Sequence, residues 1–340
     1  MTIALIILFF EIILFLFVIQ NYNGISILKR FTAFCLILFM FIISGLRYNV
    51  GDDFLNYEIM YNDPSNIRNS FTEPIWSYIS LLFHNMGLSS IAWFCFTSFI
   101  INFFFISGIR KLSKNFYLSV AFYIAMPHLF LESFNIVRQF VAMSIIFRFS
   151  YLFFQKKYWK FVIIILLSSC FHKSAVLTIP LFFMSLINFP NIFLILIVFF
   201  CFLLRYSFLP IIIKIVTNVS MYSGYVNELV SSESSSGIYA YVLLFVCLFI
   251  IFCFRKPKSR EINILKNLSL MSFCIYLLFY TFQAGQRIGF YVLPYFVLLV
   301  PYIQTKFKID GSFITIGSIL SVFMLFTLKV GFTQLYTFRF

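Results

Sequence analysis

Along its length the chain alternates long apolar runs with short polar gaps. The runs are continuous rather than alternating residue by residue, which predicts membrane-spanning helices and excludes an outer-membrane barrel. At about 20 apolar residues per spanning helix, the length holds about ten to twelve spans. The runs place them near 3–19, 31–46, 90–109, 116–131, 136–154, 161–171, 174–187, 191–205, 238–254, 267–283, 288–303 and 312–328. Segments 161–171 and 174–187 are short and read as a re-entrant or broken pair around Phe171-His172-Lys173-Ser174, and 74–89 reads as interfacial or re-entrant. The expectation is an all-α, polytopic integral membrane helix bundle. It forms one transmembrane domain over 1–340, with external loops at about 47–89 and 206–237. The first run, Met1–Gln20, carries Glu11 and no basic start or cleavage site, so it reads as a span rather than a removable leader.

Composition agrees with a bilayer as the solvent. Hydrophobic residues make up 62% of the chain and charged residues only 11%, against about 25% charged in a soluble domain. A soluble enzyme, a secreted disulfide scaffold and a nucleic-acid reader are excluded. The 52 Phe and 20 Tyr read mainly as lipid-facing filler. The seven cysteines lie in or beside apolar runs without metal-type spacing and read as small apolar packing residues.

The net charge of +14 is largely topology. Basic clusters at Lys29–Arg30, Arg110–Lys114, Lys156–Lys160, Arg255–Lys266 and Lys306–Lys308 mark one face as cytoplasmic. The remaining polar segments, and both termini, then fall on the other side. That external face holds most of the 11 acidic residues together with arginines that charge-based orientation does not require. Ionisable groups of this kind at a membrane are functional candidates.

Four external segments carry the candidate chemistry: Ser44–Tyr57, Asn135–Gln139, Phe171–Ala175 and Gln286–Tyr291. Each lies at the end of a different expected helix, so a bundle can bring them to one cavity. Arg47, Arg138 and Arg287 suit a diphosphate whose lipid tail stays in the bilayer, because guanidinium forks bind phosphate bidentately and keep their proton. Lys173 can assist them. Asp52, Asp53, Glu73 and His172 are the candidate bases for a sugar hydroxyl. His172 is narrowly preferred, because an ordinary imidazole titrates near neutrality, at about 6.5. Glu73 is also read as a sugar ligand. The bland readings are headgroup anchoring for the arginines, a solvated turn for Asp52 and Asp53, a helix cap for Glu73 before Pro74, and a hairpin turn for His172 with Lys173. No phosphate-cradling glycine loop, dinucleotide fingerprint or zinc spacing is present, and no cofactor or metal is expected.

At these segments the chain resembles the EpsG family, grouped with Wzy-type O-antigen and exopolysaccharide polymerases. The resemblance rests on Gly45-Leu46-Arg47-Tyr48 with Gly51, Asp53 and Tyr57, on Glu73-Pro74, on Arg138-Gln139, on Phe171-His172-Lys173-Ser174-Ala175, and on Arg287 followed by Tyr291. It implies a GT-C-like enzyme of the bacterial inner membrane whose active site faces the periplasm. Such an enzyme moves a growing glycan from undecaprenyl diphosphate onto a new lipid-linked repeat unit, without nucleotide sugar or metal. Its implied partners are the lipid-linked donor and acceptor and the bilayer, with room for a chain-length regulator and no nucleic acid. The resemblance also adds Tyr57 and Gln139 to the substrate-binding candidates. The competing readings are an O-antigen ligase-like transferase, a flippase or transporter of lipid-linked oligosaccharide, and a membrane acyltransferase.

Overall fold

In a computed structural model of the chain, the described residues are 26–49, 53–63, 65, 73–126, 128–207, 237–280 and 282–307. The expected spans 3–19 and 312–328, Asp52, and nearly all of the expected loop 206–237 lie outside them. The fold is an all-helical membrane bundle, with no strand among the described residues.

The helices are α1 Ser26–Gly45, α2 Phe54–Asn62, α3 Pro74–Asn85, α4 Ser90–Leu112, α5 Phe116–Ala125, α6 Val137–Phe149, α7 Tyr158–Ser169, α8 Thr178–Met184, α9 Asn191–Leu204, α10 Gly237–Cys253, α11 Arg260–Leu278, α12 Gln283–Phe290 and α13 Pro294–Phe307. Three segments, Ser90–Leu112, Val137–Phe154 and Arg260–Leu278, are each long and apolar enough to cross a bilayer. The pair α12 and α13, bent by 55°, makes a fourth if it is one span. Within the described residues, shorter apolar helices occupy the other expected spans. The expected pair around His172 is indeed broken: α7 ends at Cys170, and a 3-10 turn over Lys173–Leu177 leads into α8.

The boundaries follow local chemistry. Helix α5 stops short of the expected 131 because Met126, which precedes Pro127, adopts extended backbone. Helix α11 starts before the expected 267 because Ser259 caps it, accepting from the Ile262 N–H at 3.3 Å. The expected span 288–303 breaks where Pro294 opens α13. The expected loop 47–89 contains α2 and α3, so much of it is helical.

The chain divides into two compact units. Among the described residues the first holds everything up to Val176 and again 300–307, and the second holds Leu177–Leu299. In the first, α6 is the central helix: Phe140, Ala142, Met143 and Phe147 are fully buried, and α4 and α7 pack against it. Helix α4 buries Trp93, Thr97, Ile101, Phe105 and Ile109, an i, i+4 row, and beside it Phe94, Ser98, Asn102 and Ile106. In the second unit, α11 is central, packed by α8, α9, α10 and α12. Its Asn263 and Asn267 reach the chain between α8 and α9, donating to Asn188 Oδ1 at 2.8 Å and to the Ile187 carbonyl at 2.8 Å.

Small residues set the helix spacing that the site depends on. A Cβ on Gly45 would lie 3.1 Å from the Cys95 backbone, so this glycine lets α1 press on α4. A Cβ on Gly108 would lie 2.8 Å from the Phe147 ring and 3.2 Å from the Arg148 backbone. Gly108→Val should therefore force α4 from α6 and cost about 1–3 kcal/mol, as overpacking does. Thermal unfolding of the detergent-solubilised protein tests this, and an unchanged melting temperature would refute the tight contact.

Candidate functional site

The site in the first unit is assembled where the C-terminal end of α7 meets the N-terminal end of α3. Pro74 brings no N–H to the first turn of α3, and the next donors, Ile75 and Trp76 N–H, reach the Cys170 carbonyl at 3.1 and 3.5 Å. One helix end thus satisfies the other, and this sets Glu73, the residue before α3, beside His172, just beyond α7.

Glu73 occupies the cap position but makes no side-chain cap bond. Its buried carboxylate, 6% exposed, reaches across the bundle instead. Oε2 accepts from Arg138 Nη1 at 2.7 Å. Oε1 lies 2.6 Å from His172 Nδ1 and 3.4 Å from the Lys173 backbone N–H. Burial pushes the Glu73 carboxyl up. The hydrogen bond from His172 and the charges of Arg138 and His172 outweigh that, and its pKa ends below the ordinary value. The carboxylate is therefore ionised and can only accept. His172 Nδ1 must then be the donor, so in the neutral ring Nε2 carries the lone pair.

Arg138 stands in the first turn of α6, where the helix dipole disfavours a cation. Glu73 compensates for it. The guanidinium also hydrogen-bonds Tyr57 and lies 5.7 Å from the centre of that ring, while its Nε is buried without a partner. Burial raises the Tyr57 pKa despite the neighbouring Arg138 charge, so the phenol stays neutral. Tyr57 is fixed against Trp76, with ring centres 5.9 Å apart, and Trp76 against Trp93 at 4.9 Å. Asp53 begins the same helix; its N–H donates to Asn135 Oδ1 at 3.0 Å, and its carboxylate acts electrostatically on Tyr57.

The burial of Arg47 departs from the headgroup-anchor reading. A headgroup anchor would be exposed, yet Arg47 is 3% exposed. Its Nη1 donates to the Ser44 carbonyl and, at 3.2 Å, to Ser98 Oγ. Phe94 and Phe134 stand 4.9 and 5.4 Å from its guanidinium carbon. Nε and Nη2, which form one edge of the guanidinium plane, are buried without hydrogen-bond partners among the described residues. Burial lowers its pKa to about 10, which leaves it protonated at neutral pH. Tyr57 also acts electrostatically on Arg47.

Of the expected site residues, the fold thus gathers Arg47, Asp53, Tyr57, Glu73, Arg138 and His172. Gln139 is adjacent and buried at 2% exposure. Lys173 is exposed, and its contact with Glu73 is through the backbone. Arg287 lies on α12 in the second unit, and Asp52 lies outside the described residues. Ser98 and Asn102 are not among the candidates, and Asn135 enters only as the start of a candidate segment. Ser98 and Asn102 sit four residues apart in an apolar helix, a polar stripe that the sequence carries openly; Asn102 donates to Ser44 Oγ at 2.9 Å and completes the Arg47 cradle.

This arrangement offers a base with a fixed tautomer, a carboxylate behind it, a guanidinium hydrogen-bonded to a phenol and a second guanidinium buried nearby. It suits proton removal from a hydroxyl beside a developing oxyanion. In comparisons with known proteins, the family model described as "EpsG family" matches residues 30–339. No curated protein and no solved structure matches the chain.

Proposed function

This chain belongs to the EpsG family, a Wzy-like polymerase family, which makes it a membrane protein of the polysaccharide-polymerase type; from that premise we propose that it extends a glycan carried on undecaprenyl diphosphate at the periplasmic face of the bacterial inner membrane. The observation that carries this reading is the buried Glu73 carboxylate bridging Arg138 and His172, whose own side chains are 29% and 27% exposed and so can meet substrate.

In the proposed reaction His172 Nε2 takes the proton of an acceptor hydroxyl on the new lipid-linked repeat. The hydroxyl oxygen forms a bond to the anomeric carbon of the growing chain. The bond from that carbon to the diphosphate oxygen breaks, and its electron pair leaves with undecaprenyl diphosphate. Arg138 holds the diphosphate, and the buried, unpartnered Nε–Nη2 edge of Arg47 is proposed as a second clamp on it. Donors placed in advance where charge develops are each worth about 3–4 kcal/mol in the transition state. Arg287 is proposed as a further diphosphate ligand. Asp52, Asp53, Gln139 and Tyr57 are proposed contacts to the substrate.

Purified protein given a defined undecaprenyl-diphosphate-linked repeat unit, with EDTA and no nucleotide sugar, should form a ladder of longer glycans. Persistence of the single repeat under conditions where the protein is folded overturns the reading.

A further inference from the structure

Glu73 serves two partners whose needs conflict. A carboxylate supports an imidazolium by its negative charge, and a guanidinium on the same carboxylate draws on that charge. Here each oxygen has its own partner, Arg138 Nη1 on Oε2 at 2.7 Å and His172 Nδ1 on Oε1 at 2.6 Å. The carboxylate is buried behind both, so incoming substrate meets the arginine and the imidazole first. The charged and titratable groups around it come from the neighbouring elements: Arg138 from α6, His172 and Lys173 from the turn after α7, Tyr57 from α2 beside Arg138, and Asp53, just before α2, acting on Tyr57.

A diphosphate offers Arg138 several charged oxygens at once, and a bidentate guanidinium–phosphate pair is among the strongest hydrogen-bonded contacts. We propose that Glu73 is a positioning residue that couples donor capture to base strength: the donor's diphosphate draws Arg138 away from the carboxylate, and the carboxylate, left to His172 alone, makes the imidazole a better proton acceptor. This rests on the polymerase reading above. It orders the reaction, because the acceptor hydroxyl is activated only when a donor is in place. It also gives Glu73 a role that neither a helix cap nor a sugar ligand would have.

The test uses the full chain in lipid nanodiscs with nitrogen-15-labelled histidine. The His172 resonances are assigned by their loss in His172→Gln. The pH at which the ring gains its proton is measured with and without undecaprenyl diphosphate, whose binding is followed separately by calorimetry. In the wild type the lipid should raise the proton affinity of His172 about tenfold, which one pH unit represents. Arg138→Gln should show the raised affinity without lipid and gain nothing from it. In Glu73→Gln the lipid should move nothing. A shift that persists in Glu73→Gln means that the lipid charge acts directly on the ring, and overturns the coupling. Binding without a shift in the wild type overturns it as well. Failure of the lipid to bind overturns the polymerase reading with it, so the two failures are distinguishable. Arg138→Gln retains the carboxylate, and its raised affinity remains a test even where Glu73→Gln does not fold.

Discussion

Arg138→Ala should leave cells with surface glycan one repeat long, although the protein is made and inserted. Loss of one preplaced oxyanion donor costs about 10²–10³-fold in turnover, and the buried Arg47, 3% exposed, cannot move into its place. Its Nη1 is held by Glu73 and its other contact is the Tyr57 phenol, so the guanidinium is oriented before substrate arrives. Arg138→Lys should rescue little, since an ammonium is a point charge that cannot keep the carboxylate and present a planar fork. Removal of Arg138 also leaves the buried carboxylate with the imidazole and the Lys173 N–H, and breaking this half-buried pair destabilises by less than the about 3–5 kcal/mol of a fully buried one. Arg138→Gln, which keeps a hydrogen-bond donor near Glu73, separates the two effects: it should restore melting temperature without restoring polymer. Glycan of normal length in cells carrying either variant would refute the role. The measurement is the ladder of surface glycan on a gel, beside the melting temperature of the purified protein.

Much of this protein is legible in its sequence, and what is legible follows from local physics. Continuous apolar runs place the helices, and the polar break at His172–Lys173 marks a real interruption between α7 and α8. The candidate residues also converge, since Arg47, Asp53, Tyr57, Glu73, Arg138 and His172 share one neighbourhood. Their roles within it were less accessible. Glu73 precedes a proline at a helix start and reads as a cap, but its partners lie 65 and 99 residues away. No periodicity carries that information. Arg47 reads as a boundary residue because it follows an apolar run. Its burial depends on Gly45 letting α1 approach Cys95 and on Ser98 from α4 meeting its Nη1. Sequence reasoning recovers such a residue by chemical type and misses its environment, because the environment is built from three separate stretches of chain.

That environment makes Arg47→Met the more discriminating substitution. A guanidinium at 3% exposure, with no carboxylate among its contacts with the described residues, has lost its hydration and regained, among those residues, two acceptors for Nη1. The aromatic faces of Phe94 and Phe134 return part of that loss, about 0.5–2 kcal/mol each for a cation over a ring. Desolvation of a buried ion costs several kcal/mol, and replacing buried charge with well-packed apolar side chains is often neutral or stabilising by about 1–4 kcal/mol. Methionine is unbranched and flexible enough to fill the same channel between the two rings. Arg47→Met should therefore melt no lower than the wild type. Its turnover should nevertheless fall by about 10²-fold, the loss expected for one oxyanion donor. A residue kept for folding would show the opposite, with lower melting temperature and activity falling in proportion to the folded fraction. Melting temperature and single-turnover rate, measured on the same preparation, decide between them. A drop of several degrees with a normal rate per folded molecule would remove Arg47 from the site. An unchanged or raised melting temperature with the rate lost would mean that the buried, unpaired guanidinium edge is retained at a cost in stability for the anion it receives.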